Sequence, residues 1–278
     1  MTQLLSLPMY DVQPADTRLL VAALRQLLAQ EGVDAWHYAE PDDRLAHWQD
    51  PALLLSQACG YPLCALLPDV QVVGTFHYDA EGCSGLRYRS RLVVRQADAG
   101  KRLADFRGRR AVCNSEDSLS GFHTLRAELA PLPENGRFFS SLLFSGGHRQ
   151  SLLALQGNAA DLAAIDAVSW ALFSRHHPAL LQGLTTIGYT AALPGLPLIT
   201  ASGTSAATLQ QLRRALTRLV SEPQWREICA RLLISGFTAT GREDYQPVSA
   251  LIAQLPLAAP ASAAAYPADR PSSSPHAP

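Results

Sequence analysis

Arg110-Ala111-Val112-Cys113-Asn114-Ser115-Glu116-Asp117-Ser118-Leu119-Ser120-Gly121 is the stretch on which the reading of this chain turns. Arg110–Cys113 has the short β-prone pattern of a strand, and the residues after Gly121 carry helical periodicity through about Leu129. The serines between them therefore sit where a strand hands over to a helix. The first amides of a helix have no intrahelical partner, and small hydroxyls beside them add donors, so such a junction suits an anion. An ordinary serine cap with no ligand is the competing reading at this point.

A second run repeats the device. Ser145-Gly146-Gly147-His148-Arg149-Gln150-Ser151 lies between a strand predicted over Phe138–Phe144 and a helix over Gln150–Gln156. Donors can thus converge from two directions on one spot.

Outward from these runs, the chain alternates strands and helices. Leu4–Met9 reads as a strand, and Asp16–Gln30 as an amphipathic helix on Leu19, Leu20, Ala23, Leu24, Leu27 and Leu28, closed by Gly32. Val33–Tyr38, Val70–Thr75, Tyr88–Arg95, Leu162–Ile165, Leu184–Thr190 and Leu196–Ala201 read as strands. Leu53–Ala58 reads as a short helix or helix-like turn, Val168–Ser174, Ala206–Ser221 and Gln224–Leu233 as helices. This order implies an α/β fold with parallel sheets covered on both faces. Two lobes are expected: residues 1–87 with 191–255, and residues 88–190 carrying both serine-bearing runs. Crossings near Gly85–Ser90 and Thr190–Gly195 make a hinge around a cleft, a usual ligand position. The Pro-, Ala- and Ser-rich stretch 256–278 is expected to be a disordered tail.

Composition narrows the function. The 278 residues are 47% hydrophobic and 17% charged, with 23 Lys+Arg against 24 Asp+Glu. No basic block follows a phosphate backbone, so nucleic acid is excluded as a partner. No stretch reaches the roughly 18 apolar residues of a membrane span. The start, Met1 to Tyr10, shows no basic n-region, long apolar core or small-residue cleavage site. It points to a cytoplasmic protein as given, or to a periplasmic one if a leader is missing. Cys59, Cys64, Cys83, Cys113 and Cys229 form an odd set without disulfide spacing, which fits reduced thiols. Cys59-x4-Cys64 with Cys83 lacks a histidine at finger-like spacing, so buried cysteines are preferred to a metal site. No cofactor is implied either, since Gly-x-Gly-x-x-Gly and Walker patterns are missing.

Ser118, Ser120 and Gly121 on the first run, and Ser145, Gly147, His148 and Ser151 on the second, are the candidate anion contacts. Gly121 lets backbone approach a ligand closely. Asp166 ends a buried strand, the edge at which open α/β sheets gather ligand contacts; capping the next helix is its alternative role. Tyr10, Tyr61 and Tyr78 offer a hydroxyl and a flat apolar face from the first lobe. Serines, His148 and Asp166 also supply the residue types of a hydrolase, but no Gly-x-Ser-x-Gly elbow is present. Binding is therefore preferred to catalysis.

Taken in order, Leu7-Pro8-Met9-Tyr10, Gln57-Ala58-Cys59-Gly60-Tyr61-Pro62-Leu63, Tyr88-Arg89-Ser90, Asn114 with Ser118–Gly121, Ser145–His148 with Ser151, Gly157-x3-Asp161, Ile165-Asp166 and Pro194-Gly195-Leu196-Pro197 resemble a known family. It is that of the phosphate/phosphonate-type (PhnD-like) substrate-binding proteins of ABC transporters, matched over about residues 4–240. The resemblance implies a type II periplasmic-binding-protein fold, two α/β lobes joined by a two-strand hinge and closing on a small anionic solute. It also implies that the two serine-bearing runs hold the oxyanion, that Asp166 meets an amino group of an aminophosphonate, and that Tyr10 and Tyr61 close the other wall. The implied partner is an ABC transporter permease or a cytoplasmic signalling protein, and the protein is expected to act as a monomer. A cytoplasmic enzyme or a ligand-responsive regulatory protein on the same scaffold is the alternative.

Overall fold

A computed structural model describes residues 2–132, 137–255 and 264–265. The first sheet begins with β1 (Gln3–Ser6), β2 (Trp36–Tyr38), β3 (Leu53–Gln57) and β4 (Gln71–Tyr78). The chain then leaves through β5 (Arg87–Tyr88) to build the second sheet from β6 (Ser90–Arg95), β7 (Arg110–Cys113), β8 (Ser141–Phe144), β9 (Leu162–Asp166) and β10 (Leu184–Tyr189). It returns through β11 (Leu193–Pro194) to add β12 (Pro197–Thr200) and β13 (Ile234–Thr238) to the first sheet. The expected tail, 256–278, lies outside the described residues except for β14 (Ala264–Ala265), which runs parallel to β8.

Strand order in the first sheet is β13-β4-β12-β3-β1-β2, and in the second β10-β6-β9-β7-β8-β14. Neither sheet is parallel throughout, contrary to expectation. β12 lies antiparallel between β3 and β4, and β6 lies antiparallel between β9 and β10. β6 and β12 are the strands by which the chain enters each sheet from the other lobe, and β13 also runs antiparallel to its neighbour β4. The two crossing segments pair as β5 with β11, a two-stranded antiparallel ribbon between the lobes.

Leu53–Gln57 corrects the helix expectation. It is a strand at the heart of the first sheet, and all five of its residues are buried. A run buried on both faces has no alternation, so periodicity cannot separate it from a buried helix. The helix Pro14–Gln30 covers one face of this sheet with Leu20, Leu24, Leu27 and Leu28, each at most 4% exposed. Each such side chain contributes about 1.5–3 kcal/mol on burial. Leu19, included in the predicted stripe, instead faces solvent. Gly32 ends the helix at φ +80, a conformation glycine adopts without strain.

In the second lobe the alternation of β6, β7 and β9 divides the core. Val93, Val112, Ala163 and Ile165 pack with Leu152 and Leu155 on one face. Leu92, Val94, Ala111, Cys113 and Ala164 pack with Phe106 and Leu125 on the other. Leu119, Val168 and Leu172 of this lobe reach across into the first lobe's core. The lobes therefore meet through apolar contact as well as through the ribbon.

Candidate functional site

A cleft of ≈ 400 Å³ opens between the lobes. The first lobe supplies Met9, Tyr10 and Asp11 beyond β1, Arg44 and Trp48 from a short helix, and Cys59 and Pro62 beyond β3. The second supplies Asn114, Ser118 and Ser120 beyond β7, Gly147, His148 and Arg149 beyond β8, and Asp166 and Ser169 at the end of β9. Every one of those strands presents its C-terminal end to the cleft, as open α/β sheets do.

At the first junction Ser118 is the cap. Its Oγ accepts the Gly121 N–H at 3.0 Å. The helix that follows opens as a wide π-turn over Leu119–His123 before becoming α-helical at Thr124, a local irregularity common at functional sites. Ser120 is left with its hydroxyl on the cleft wall, 3.1 Å from His148 Nε2. With Nε2 protonated, His148 donates to Ser120 Oγ and frees the serine hydrogen for an anion. Burial holds His148 at about 4, below its ordinary 6.5, so the imidazole is neutral near pH 7. Gly121 stands behind this wall and is not among the residues lining the cleft. A Cβ built there would lie 1.8 Å from Asn114 Oδ1, so glycine is required by close approach.

At the second turn the helix His148–Gln156 begins after Gly147, whose extended backbone carries no side-chain cap. The amides of this first turn have no partner further back in the helix and are available to an anion. Ser145 and Ser151 take another part. Ser145 Oγ lies 2.7 Å from Ser151 Oγ, 3.0 Å from Gly147 O and 3.2 Å from Cys113 O. Both serines are buried and tie the turn to the end of β7. They shape the loop; Gly146, Gly147, His148, Arg149 and Gln150 are the members of the run that line the cleft.

Asp166 caps the helix Ala167–His176, with Oδ1 accepting the N–H groups of Val168 and Ser169 at 2.8 and 2.9 Å. Its Oδ2 accepts the Tyr10 hydroxyl at 2.8 Å, across the lobes. Burial outweighs these hydrogen bonds and lifts the carboxyl to about 6. Burial first, then Asp166, also raises the Tyr10 phenol well above 10.0. Tyr61 is not at the cleft wall: its ring stacks on His123 at 3.8 Å, joining the lobes outside the cleft. Tyr78 stays within the first lobe, accepting from Gln57 Nε2 at 3.0 Å. Sequence reading passed over Arg44, Trp48 and Arg149. Arg149 had a signal, because a cation in the first turn of a helix opposes the helix dipole.

Among the described residues, no group of three or more His, Cys, Asp or Glu side chains is placed to hold a metal ion. No helix among them is long and apolar enough to cross a membrane.

Two α/β lobes around a donor-lined cleft define a solute-binding protein of the type II periplasmic-binding-protein class. The chain belongs to the family described as "ABC transporter, phosphonate, periplasmic substrate-binding protein", whose profile matches residues 53–245. No curated protein matches the sequence significantly. Among solved structures it is similar to PhnD1 from Prochlorococcus marinus in complex with methylphosphonate, with 14% identity, TM-score 0.74, and coverage of 91% of this chain and 98% of that one. A binding protein component of an ABC phosphonate transporter from Pseudomonas aeruginosa is similar at 14% identity and TM-score 0.73, covering 90% and 85% of the two chains. The protein XAC2383 from Xanthomonas citri, bound to ATP, is similar at 16% identity and TM-score 0.70, covering 91% and 97%. At these identities the likeness is one of fold. Family members are substrate-binding transport proteins, in keeping with capture without catalysis.

Membership overturns the cytoplasmic expectation, since the family is periplasmic. For three of the five thiols burial removes the argument from compartment, while Cys64 and Cys83 are half-buried. Cys59, Cys113 and Cys229 are buried free thiols. Burial lifts Cys59 and Cys229 to about 11 and raises Cys113 further. Protonated, enclosed thiols resist oxidation in either compartment.

Proposed function

We propose that this protein captures a small phosphonate, phosphate or related oxyanion between its lobes and presents it to the membrane permease of an ABC transporter. The observation that carries the reading is the convergence of Ser120, backed by His148, with the uncapped first turn at His148–Gln150. A neutral histidine, a serine hydroxyl and backbone amides offer hydrogen bonds without a fixed buried cation. Closure excludes water and strengthens each bond, while a buried anion short of donors would be costly. The test is titration calorimetry with methylphosphonate and with inorganic phosphate: saturable one-to-one binding supports the reading, and no heat with either anion overturns it.

A ligand-responsive regulatory role is the second reading. A histidine kinase sensor domain shares the fold at TM-score 0.56 and 15% identity. Lobe closure that changes an outer surface serves a receptor as well as a carrier. Reconstitution separates the two: solute uptake by permease-bearing vesicles supports transport, and solute-dependent change in a partner's activity without uptake supports regulation.

A further inference from the structure

Arg44 and Arg149 line the cleft from opposite lobes. Both are exposed, and neither has a hydrogen bond or ion pair with another described residue. Several other arginines are engaged, Arg95 and Arg110 on Asp161, Arg213 and Arg242 on backbone carbonyls, while Arg18 and Arg226 are exposed like these two but lie away from the cleft. Arg149 also stands in the first turn of the helix His148–Gln156, where the helix dipole disfavours a cation and no acid offsets it. Stability alone does not account for a guanidinium there.

The cleft also has room to spare. Its ≈ 400 Å³ falls within the range of about 300–1,000 Å³ that suits drug-sized ligands, more than a methyl-bearing oxyanion head fills. The donors at Ser120 and the His148 turn are neutral near pH 7, and Arg44 and Arg149 are the two guanidiniums on the cleft wall, which His177 also lines.

Resting on the oxyanion reading above, we propose that the solute is bifunctional: an organic phosphonate or phosphate whose far end carries a second anionic group, held between Arg44 and Arg149. Its head sits on the serine wall, and its tail spans the lobes. Because one arginine comes from each lobe, the second group adds attraction that exists only when the cleft is closed. Asp11 and Asp117 line the same cleft; Asp11 accepts the Thr17 hydroxyl at 2.7 Å, and Asp117 is an exposed carboxylate. They make a cationic far end the rival chemistry.

Calorimetry on the full chain with methylphosphonate, 3-phosphonopropionate and 2-aminoethylphosphonate decides between them. The carboxylate compound is expected to bind roughly tenfold more tightly than methylphosphonate, with the advantage shrinking as salt rises. In the Arg44→Gln/Arg149→Gln double variant that ratio falls to about threefold or less. Thermal melting confirms the variant is folded, as expected for exposed side chains. Equal or weaker binding of 3-phosphonopropionate, or an advantage that survives loss of both arginines, overturns the proposal. Preference for 2-aminoethylphosphonate overturns it in favour of the acids. Binding of none of the three removes the oxyanion reading as well.

Discussion

Tyr10 and Asp166, 156 residues apart, share a 2.8 Å hydrogen bond that spans the two lobes. The helix that Asp166 caps grips the first lobe at its other end too. Arg175 Nη1 donates to the carbonyls of Ala230 and Arg231 at 2.7 and 2.8 Å, and His177 Nε2 lies 3.4 Å from Val12 O. One helix therefore contacts the first lobe at both of its termini.

Tyr10→Phe should loosen closure by leaving Asp166 Oδ2 buried without its donor. The cost is about 1–3 kcal/mol, the usual penalty for an unsatisfied buried acceptor. Thermal melting should fall and methylphosphonate affinity should drop together; an unchanged melting temperature and affinity would place the bond outside the energetics of closure.

Ser120→Ala and Ser145→Ala should part company. Ser120 presents a hydroxyl to the cleft and has a side-chain partner, His148, so its loss should weaken anion binding by about 1–3 kcal/mol and lower melting less than loss of Ser145 does. Ser145 joins Ser151, Gly147 and Cys113 inside the protein, so its loss should lower stability first. Paired calorimetry and melting curves check this; a Ser120→Ala protein with wild-type affinity removes Ser120 from the site.

Acid should destabilise the fold. Burial, the first cause in each case, holds His123 and His148 at about 4 in the folded protein against 6.5 when free. Unfolding therefore takes up protons between these values, so the stability is complete above pH 6.5 and lost as the pH falls towards 4. Asp166 runs the other way, because a carboxyl raised to about 6 contributes stability below 3.8 that is lost as the pH rises to 6. The two histidines outweigh one aspartate. Urea midpoints between pH 4 and 6.5 should fall on acidification, less steeply in His148→Gln and more steeply in Asp166→Asn. A shallower slope in Asp166→Asn contradicts the assignment.

Gly121→Ala should disrupt the serine wall, since the new methyl meets Asn114 Oδ1 at 1.8 Å. Relief requires moving Asn114 or the π-turn, at a cost of about 1–3 kcal/mol. Loss of both melting temperature and anion affinity is expected; retention of both would mean the turn yields freely.

Amphipathic elements were readable in the sequence because one face is wet. The helix over Pro14–Gln30 declares itself through leucine spacing, and β7, with Ser118 and Ser120 behind it, through a short apolar strand before a serine pair. Leu53–Gln57 was not readable as a strand, because burial on both faces erases the alternation. Nor were pairings set by distant packing: Tyr61 on His123, Ser145 on Ser151 and Tyr10 on Asp166 all depend on where other segments bring the chain. Arg44 and Arg149 look like ordinary surface residues until the lobes place them on one cleft.

The most direct test is a crystal structure of the methylphosphonate complex. Phosphonate oxygens within hydrogen-bond distance of Ser120 Oγ and of the amides at His148–Gln150 are the predicted result. An anion seated away from both turns, or serine and amide groups turned from the bound solute, would contradict the claim that these two junctions form its site.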